Sequence, residues 1–231
     1  MKKILKISGV LNTISFILLI LFLGIQVSGF GMWFYRWQYD VNDTYEVVSM
    51  EQEDLHEVTR HMIRYMQGRE PDLQIMTTVD GEARYFFSEI EIRHMIDVYE
   101  LFAVGLVIQW ILIVLFLTTL GLFFWKGREQ LRYLYKSWQI GAIAVLGALI
   151  ALVALIAINW QRAFVIFHEI FFNNDYWILD SRVDLLVNIV PYPFFISISI
   201  FIGGFFAVGL GLLGVVSTVL LRRKKHRKEE G

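Results

Sequence analysis

The chain has no cysteine among its 231 residues. That excludes disulfides, a thiolate nucleophile, iron–sulfur clusters and thiolate zinc sites. Several short chemical patterns are missing too. There is no Gly-x-Ser-x-Gly, so no serine nucleophile elbow. There is no Walker or Rossmann glycine pattern. His168-Glu169 opens the zincin pattern His-Glu-x-x-His, but Phe172 stands where the second histidine must be, which removes a ligand. Neither a metal, nor a cofactor, nor a nucleic-acid partner is expected. Charge is also absent from four long stretches: Ile7–Tyr35, Leu101–Trp125, Ser137–Gln161 and Leu185–Leu221. Within them Gln109 and Asn159 are the notable polar groups. Ion and proton pathways need buried charge, so a pump, exchanger or channel is disfavoured.

The uncharged stretches are 29, 25, 25 and 37 residues long. A helix of about 20 apolar residues crosses the hydrocarbon core, and helix is the inexpensive way to pair every backbone polar group there. The expected fold is therefore an all-α membrane protein, a single domain over 1–231, with spans near 8–30, 100–125, 138–160 and 193–221. Regions 31–99 and 161–192 are left between them. The first run follows Lys2, Lys3 and Lys6, as a signal peptide would, but it is too long and no small-residue cleavage site closes it. It reads as an uncleaved anchor. Gly203, Ala207 and Gly211 make a small-residue stripe suited to close helix packing.

The distribution of charge sets a topology. The amino terminus, the 126–138 linker and the tail from Arg222 hold 13 of the 21 Lys and Arg residues. The two longer loops hold 19 of the 22 acidic residues. Basic residues favour the cytoplasmic side, so both termini are expected inside and both long loops outside. Trp33, Phe34, Tyr35, Trp37 and Tyr39 crowd one outer end as an interfacial belt, with Trp160 and Phe164 at another. The tail's basic run reads as a headgroup anchor.

The first outer loop alternates structural signals and predicts a small α+β extracytoplasmic cap. Leu55, Val58, Met62, Tyr65 and Met66 recur at helical spacing over Glu51–Gln67. Asp80-Gly81 between two strand-like segments signals a hairpin. Ser88-x-x-Glu91 is a capping box for a helix that runs on into the second span. In the second outer loop Asp180 is expected to cap a short helix ending near Pro191, and Pro191 and Pro193 mark the start of the last span.

Five histidines are present. His226 belongs to the basic tail, and His56 and His61 read as solvated residues on the amphipathic helix. His94 and His168 differ. Each lies within a turn or two of a span, on the outer side, with carboxylates close by. Glu91 and Asp97 flank His94 at helical contact spacing, and Glu169, Asp175 and Asp180 follow His168. Imidazole exchanges protons near neutral pH, and a carboxylate partner fixes its tautomer. The alternative reading makes both histidines interfacial groups that satisfy helix ends.

The stretch Phe87-Ser88-Glu89-Ile90-Glu91-Ile92-Arg93-His94-Met95-Ile96-Asp97-Val98 resembles a His-Met-x-Asp-Val motif of a bacterial four-span membrane family. The stretch from Phe167 to Asp180, containing His168, Asn174 and Trp177, extends the resemblance through Asp184 and Pro191. The family includes the lipoprotein intramolecular transacylase of low-GC Gram-positive bacteria. Where the resemblance leads one to expect a glutamate after the proline, this chain has Tyr192.

The resemblance implies an enzyme of the bacterial plasma membrane, multi-pass, with its active site on the extracytoplasmic face. Its partners would be diacylglyceryl-modified lipoproteins and membrane lipids. The sn-2 acyl chain of the diacylglyceryl-cysteine would move to the cysteine's α-amine, giving the lyso form. His94 would be the general base that deprotonates the amine and returns the proton to the sn-2 oxygen, and His168 would polarise the ester carbonyl or hold the oxyanion, the two roles being exchangeable. Asp97 or Glu91 would orient the base. Trp177, Phe167, Phe171, Asn174 and Asp180 would bind substrate. The competing class is a non-enzymatic scaffold or sensor that binds a partner through its outer domain.

Overall fold

A computed structural model describes residues 2–229. The side chains of residue 128 and of residues 224–229 fall outside that description, and with them most of the basic tail expected as a headgroup anchor. Helix α1 (Lys2–Gly29) ends before the first uncharged run does. Gly31 sits at the break, where a Cβ would lie 2.3 Å from the Val27 carbonyl oxygen, an approach that glycine alone tolerates. Helix α2 (Met32–Val41) then buries Phe34, Tyr35, Gln38 and Tyr39. Trp33 and Trp37 stay about half exposed, at 49% and 48%. The expected aromatic belt is thus two populations, because the restarted helix turns one face into a core.

A single turn, α3 (Thr44–Val47), leads to α4 (Gln52–Met66). The helical stripe behaves as its spacing predicts: Leu55, Val58, Met62, Tyr65 and Met66 are all buried. His56 corrects its reading as a solvated residue. It is 9% exposed, and its Nε2 lies 2.9 Å from the Tyr45 hydroxyl. Tyr45 arrives from α3, a neighbour that periodicity within α4 cannot reveal. Strands β1 (Met76–Val79) and β2 (Glu82–Tyr85) pair antiparallel, Met76 opposite Tyr85 and Val79 opposite Glu82. Asp80 and Gly81 have φ of 53° and 77°, the two left-handed positions that a type I′ turn requires.

The capping box forms as read. The Ser88 N–H donates to the Glu91 carboxylate, and Ser88 Oγ accepts from the Glu91 N–H. Helix α5 (Glu89–Trp125) follows, then a 3₁₀ turn (Arg128–Gln130) and α6 (Leu131–Ile158). Asn159 breaks α6 with a φ of −152°, and α7 (Trp160–Phe171) starts at once. Helices α8 (Leu186–Ile189) and α9 (Tyr192–Glu229) complete the order. Pro191 and Pro193 bracket the first residue of α9, where a missing N–H costs nothing. Helices α1, α5, α6 and the Tyr192–Arg223 part of α9 are each long and apolar enough to cross a membrane.

The chain divides into two compact units. One holds the chain through Gly24, Val107–Trp160 and the chain from Phe201. Its core is Ile17, Ala142, Phe206, Leu210 and Leu213, with a second cluster of Leu5, Phe123, Leu131 and Leu134. Asn12 is fully buried there. It donates to the Phe116 carbonyl and to Thr119 Oγ1, each at 3.0 Å, and accepts from Trp138 Nε1 at 2.9 Å. An unpaired amide at this depth would cost several kcal/mol. The small-residue stripe needs correction. Nothing lies within 4 Å of a Cβ built on Gly203 or Gly211. Close packing falls instead at Gly141, whose Cβ would sit 2.4 Å from Thr13 Cγ2, and at Gly209, 2.5 Å from Ile20 Cγ2. The large side chains of Phe206, Leu210 and Leu213 set the inward face of α9.

The second unit holds Ile25–Leu106 and Gln161–Ile200. Aromatic rings build its core: Phe194 lies 5.4 Å from Phe34 and 5.1 Å from Tyr35, centroid to centroid. The Tyr39 and Thr59 hydroxyls are hydrogen-bonded at 2.7 Å. All of the candidate chemistry lies in this unit.

Candidate active site

His94 lies in the second turn of α5 and His168 in the last turn of α7. Their ring centroids are 6.1 Å apart, with 36° between the planes. The fold therefore brings the two sequence-distant imidazoles side by side.

His168 is nearly buried, at 6% exposed. Its Nδ1 lies 2.8 Å from the Phe164 carbonyl oxygen, one helical turn earlier. A carbonyl only accepts, so Nδ1 carries the hydrogen and the neutral ring has its lone pair on Nε2. Burial holds the His168 pKa below the ordinary imidazole value, and the Phe164 carbonyl works weakly against that. Trp177 stacks on the same ring at 4.7 Å and 29°, and Phe164 packs on it at 4.2 Å.

His94 Nδ1 is buried with no hydrogen-bond partner among the described residues. Phe172 meets His94 edge-on at 5.4 Å and lies 5.7 Å from His168. The residue that voids the zincin pattern thus contacts both imidazoles. Asp97 is the carboxylate whose charge reaches His94. It accepts a 2.9 Å hydrogen bond from Asn174 Nδ2. Asn174 also holds its own turn: its Oδ1 accepts from the Tyr176 N–H at 3.0 Å, and its carbonyl accepts from Trp177 Nε1 at 2.9 Å.

The remaining sequence candidates fall elsewhere. Glu91 is fully buried, and its two oxygens accept the backbone N–H groups of Ser88 and Leu186. Ser88 Oγ donates to Asp184 at 2.9 Å, and Asp184 accepts from the Asp180 N–H at 2.9 Å. Glu91 is therefore occupied as a clamp between the start of α5 and the start of α8. Asp180 pairs with the exposed Arg182 guanidinium and accepts its N–H at 3.0 Å. It caps no helix, because α8 starts after Leu185. Phe167 and Phe171 are 47% and 50% exposed, their rings 4.8 Å apart, and with Ile170 they form the outer apolar edge of α7.

Two open grooves of about 450 and 430 Å³ flank this loop and share Glu169, Phe172, Asn173 and Asn174 in their walls. Neither is lined by His94 or His168. Phe172 is the common wall between grooves and imidazoles. Sequence reading singled out neither Phe164 as a partner of His168 nor Phe172 as a wall. The signal was available, since both stand four residues from His168 on a helical register.

These features define a membrane-integral helical protein with a histidine pair, His168 buried and His94 half-buried, beside a carboxylate and an aromatic lining. Among solved structures, the membrane-integral lipoprotein intramolecular transacylase Lit from Bacillus cereus superposes with a TM-score of 0.79 at 21% identity, over 98% of this chain and 100% of that one. A structure of the same protein with one histidine changed to arginine superposes at 0.75 and 20% identity, over 98% and 96%. One with a histidine changed to alanine gives 0.75 and 20%, over 97% of each chain. No curated protein matches the sequence. The family model for lipoprotein intramolecular transacylase Lit matches residues 10–195, and the chain belongs to that family. It is a multi-pass membrane protein of an acyltransferase family that acts on lipoproteins.

Proposed function

We propose that the chain moves the sn-2 acyl group of a diacylglyceryl-cysteine lipoprotein to the cysteine's own α-amine. The reaction takes place on the extracytoplasmic face, with both termini cytoplasmic as the basic residues favour. The observation that carries the reading is the pair of imidazoles whose centroids are 6.1 Å apart, one of them with a defined free Nε2. Two proton-transfer groups at that spacing can flank one ester and one amine.

The steps need no partner beyond the substrate. His168 Nε2 takes a proton from the α-ammonium, and the neutral amine attacks the sn-2 ester carbonyl. The Phe164 bond favours His168 over His94 as this base, because it leaves Nε2 as an acceptor. His94 donates an N–H to the oxyanion, and the Asp97 charge supports the cationic character it then develops. As the C–N bond forms, His168 receives the amine's second proton, its first having passed to solvent. The tetrahedral centre collapses, the C–O bond breaks, and His168 returns the proton to the leaving glycerol oxygen. An amide and a free sn-2 hydroxyl result. Nucleophile and ester belong to one molecule, so positioning supplies much of the barrier reduction. The migrating chain lies on the exposed Phe167, Ile170 and Phe171 edge. The cationic amine approaches by the groove that carries Asp97 and Glu100.

The test is expression in a host that makes diacylglyceryl lipoproteins but no lyso form. Mass spectrometry then reads the N-terminal peptide of a reporter lipoprotein. The intact chain should give N-acyl lyso peptide. His94→Ala and His168→Ala should each insert normally and lower its rate by about 10²- to 10⁴-fold. Full conversion by either variant would discard its assigned role. No conversion by the intact chain would discard the reaction.

A further inference from the structure

The mechanism asks His168 to become an imidazolium, yet the ring is 6% exposed and no carboxylate among the described residues is hydrogen-bonded to it. Its Nδ1–H is committed to a neutral carbonyl. The charged groups facing it are few. His94 approaches from α5, with the Asp97 charge reaching His94, and an imidazolium at His94 would oppose protonation of His168. On its own helix Glu169 and Arg162 are exposed and set at 4.0 Å from each other. From α9, Tyr192 reaches Phe164 at 6.3 Å, one ring removed from His168. A buried cation with so little countercharge needs another source of stabilisation.

We propose that Trp177 is that source: its indole face stabilises the protonated form of His168 by a cation–π contact. The claim rests on the proposed base role of His168. The rings are stacked, 4.7 Å between centroids and 29° between planes, within the distance at which an indole face attracts a cation. Tryptophan is the aromatic side chain with the strongest such attraction, and exclusion of water strengthens it further. The contact is also built to persist. The Trp177 Nε1–H is donated at 2.9 Å to the Asn174 carbonyl, and Asn174 Nδ2 is anchored at 2.9 Å on Asp97. The indole is therefore held by its edge, with its face left for the imidazole. The same Asn174 residue links the carboxylate beside His94 to the indole above His168, so a single turn of chain arranges both histidines. Trp177 becomes a positioning and charge-stabilising residue, in place of the substrate-binding one that the resemblance implies.

The direct test is titration of His168 by NMR of ring-labelled histidine, on the full chain in detergent without substrate. Removing the indole face should lower the His168 pKa, because the cation loses its support while the neutral ring does not. Trp177→Leu is expected to shift the midpoint down by about one pH unit, and Trp177→Phe by less, about half a unit. Turnover on the reporter lipoprotein should fall about tenfold in Trp177→Leu as the base weakens. Should Trp177→Leu fail to fold, trifluorotryptophan placed at position 177 alone keeps the shape and withdraws charge from the face. It should then lower the midpoint in the same direction. An unmoved His168 midpoint in both the leucine or fluorinated chain and the phenylalanine chain overturns the proposal, even if turnover falls. The titration needs no reaction, so it separates failure of the stacking claim from failure of the transacylation reading. That second failure would show as an intact chain that forms no lyso lipoprotein.

Discussion

Glu91 offers the sharpest test of how this site is held, because a catalytic and a structural role give opposite results. Its carboxylate is fully buried and accepts two backbone N–H groups, from Ser88 and from Leu186, far apart along the chain. Glu91→Ala removes both acceptors at once. Each orphaned buried amide costs about 1–3 kcal/mol, so the pair sets an expected loss of about 4 kcal/mol. At roughly 2–4 °C per kcal/mol for a chain of this length, the midpoint of thermal unfolding should drop by about 10 °C. Glu91→Gln keeps one acceptor but turns an N–H toward a backbone N–H, and should fall between. Glu89→Gln is the control, since Glu89 is exposed and pairs with Arg93. Its midpoint should match the parent. The assay is circular dichroism against temperature in one detergent, read beside turnover on the reporter lipoprotein. If Glu91→Ala unfolds with the parent while its turnover collapses, the clamp is wrong. Glu91 would then act on the imidazoles after all.

Asp97→Asn preserves an acceptor for Asn174 and removes the charge near His94. It should insert and fold as the parent does, with turnover lowered about tenfold in the lyso-peptide assay. His168 gives a pH signature. Burial lowers its folded pKa, so below about 6.5 the unfolded chain binds a proton that the folded chain refuses. Stability should therefore fall as pH drops from about 6.5 toward the depressed value, and His168→Gln should flatten that slope in thermal unfolding at stepped pH. In the other unit, Gly141→Val and Gly209→Val should each cost about 1–3 kcal/mol by overpacking against Thr13 and Ile20. Gly203→Ala and Gly211→Ala should leave the same unfolding midpoint unchanged, because open space surrounds both positions.

Much of the architecture is legible before folding is considered. The long apolar helices follow from run length and the need to pair backbone groups in lipid. The capping box at Ser88 and the hairpin at Asp80-Gly81 are local devices, complete within a few residues, and both form as their chemistry dictates. The buried stripe of α4 is likewise a matter of period. Readings that required a neighbour fared differently. His56 looked solvated until Tyr45 covered it, and Gly203 and Gly211 looked like packing positions until larger side chains chose another face of α9. The helix breaks at Gly31 and Asn159 were hidden inside uncharged runs, because hydropathy carries no record of backbone direction.

What the sequence determined alone is a lipid-spanning helical chain with two histidines near carboxylates at the ends of apolar runs. Hydrophobic length and short-range spacing are enough for that. The tertiary structure decided which groups serve which purpose. It placed the imidazoles 6.1 Å apart, gave Asp97 to Asn174, spent Glu91 on two amides and laid Trp177 over His168. Each of those outcomes depends on contacts between residues distant in sequence. A side chain's chemistry is inherited from its type, but its partner is set by whatever the fold brings within about 3 Å for a hydrogen bond.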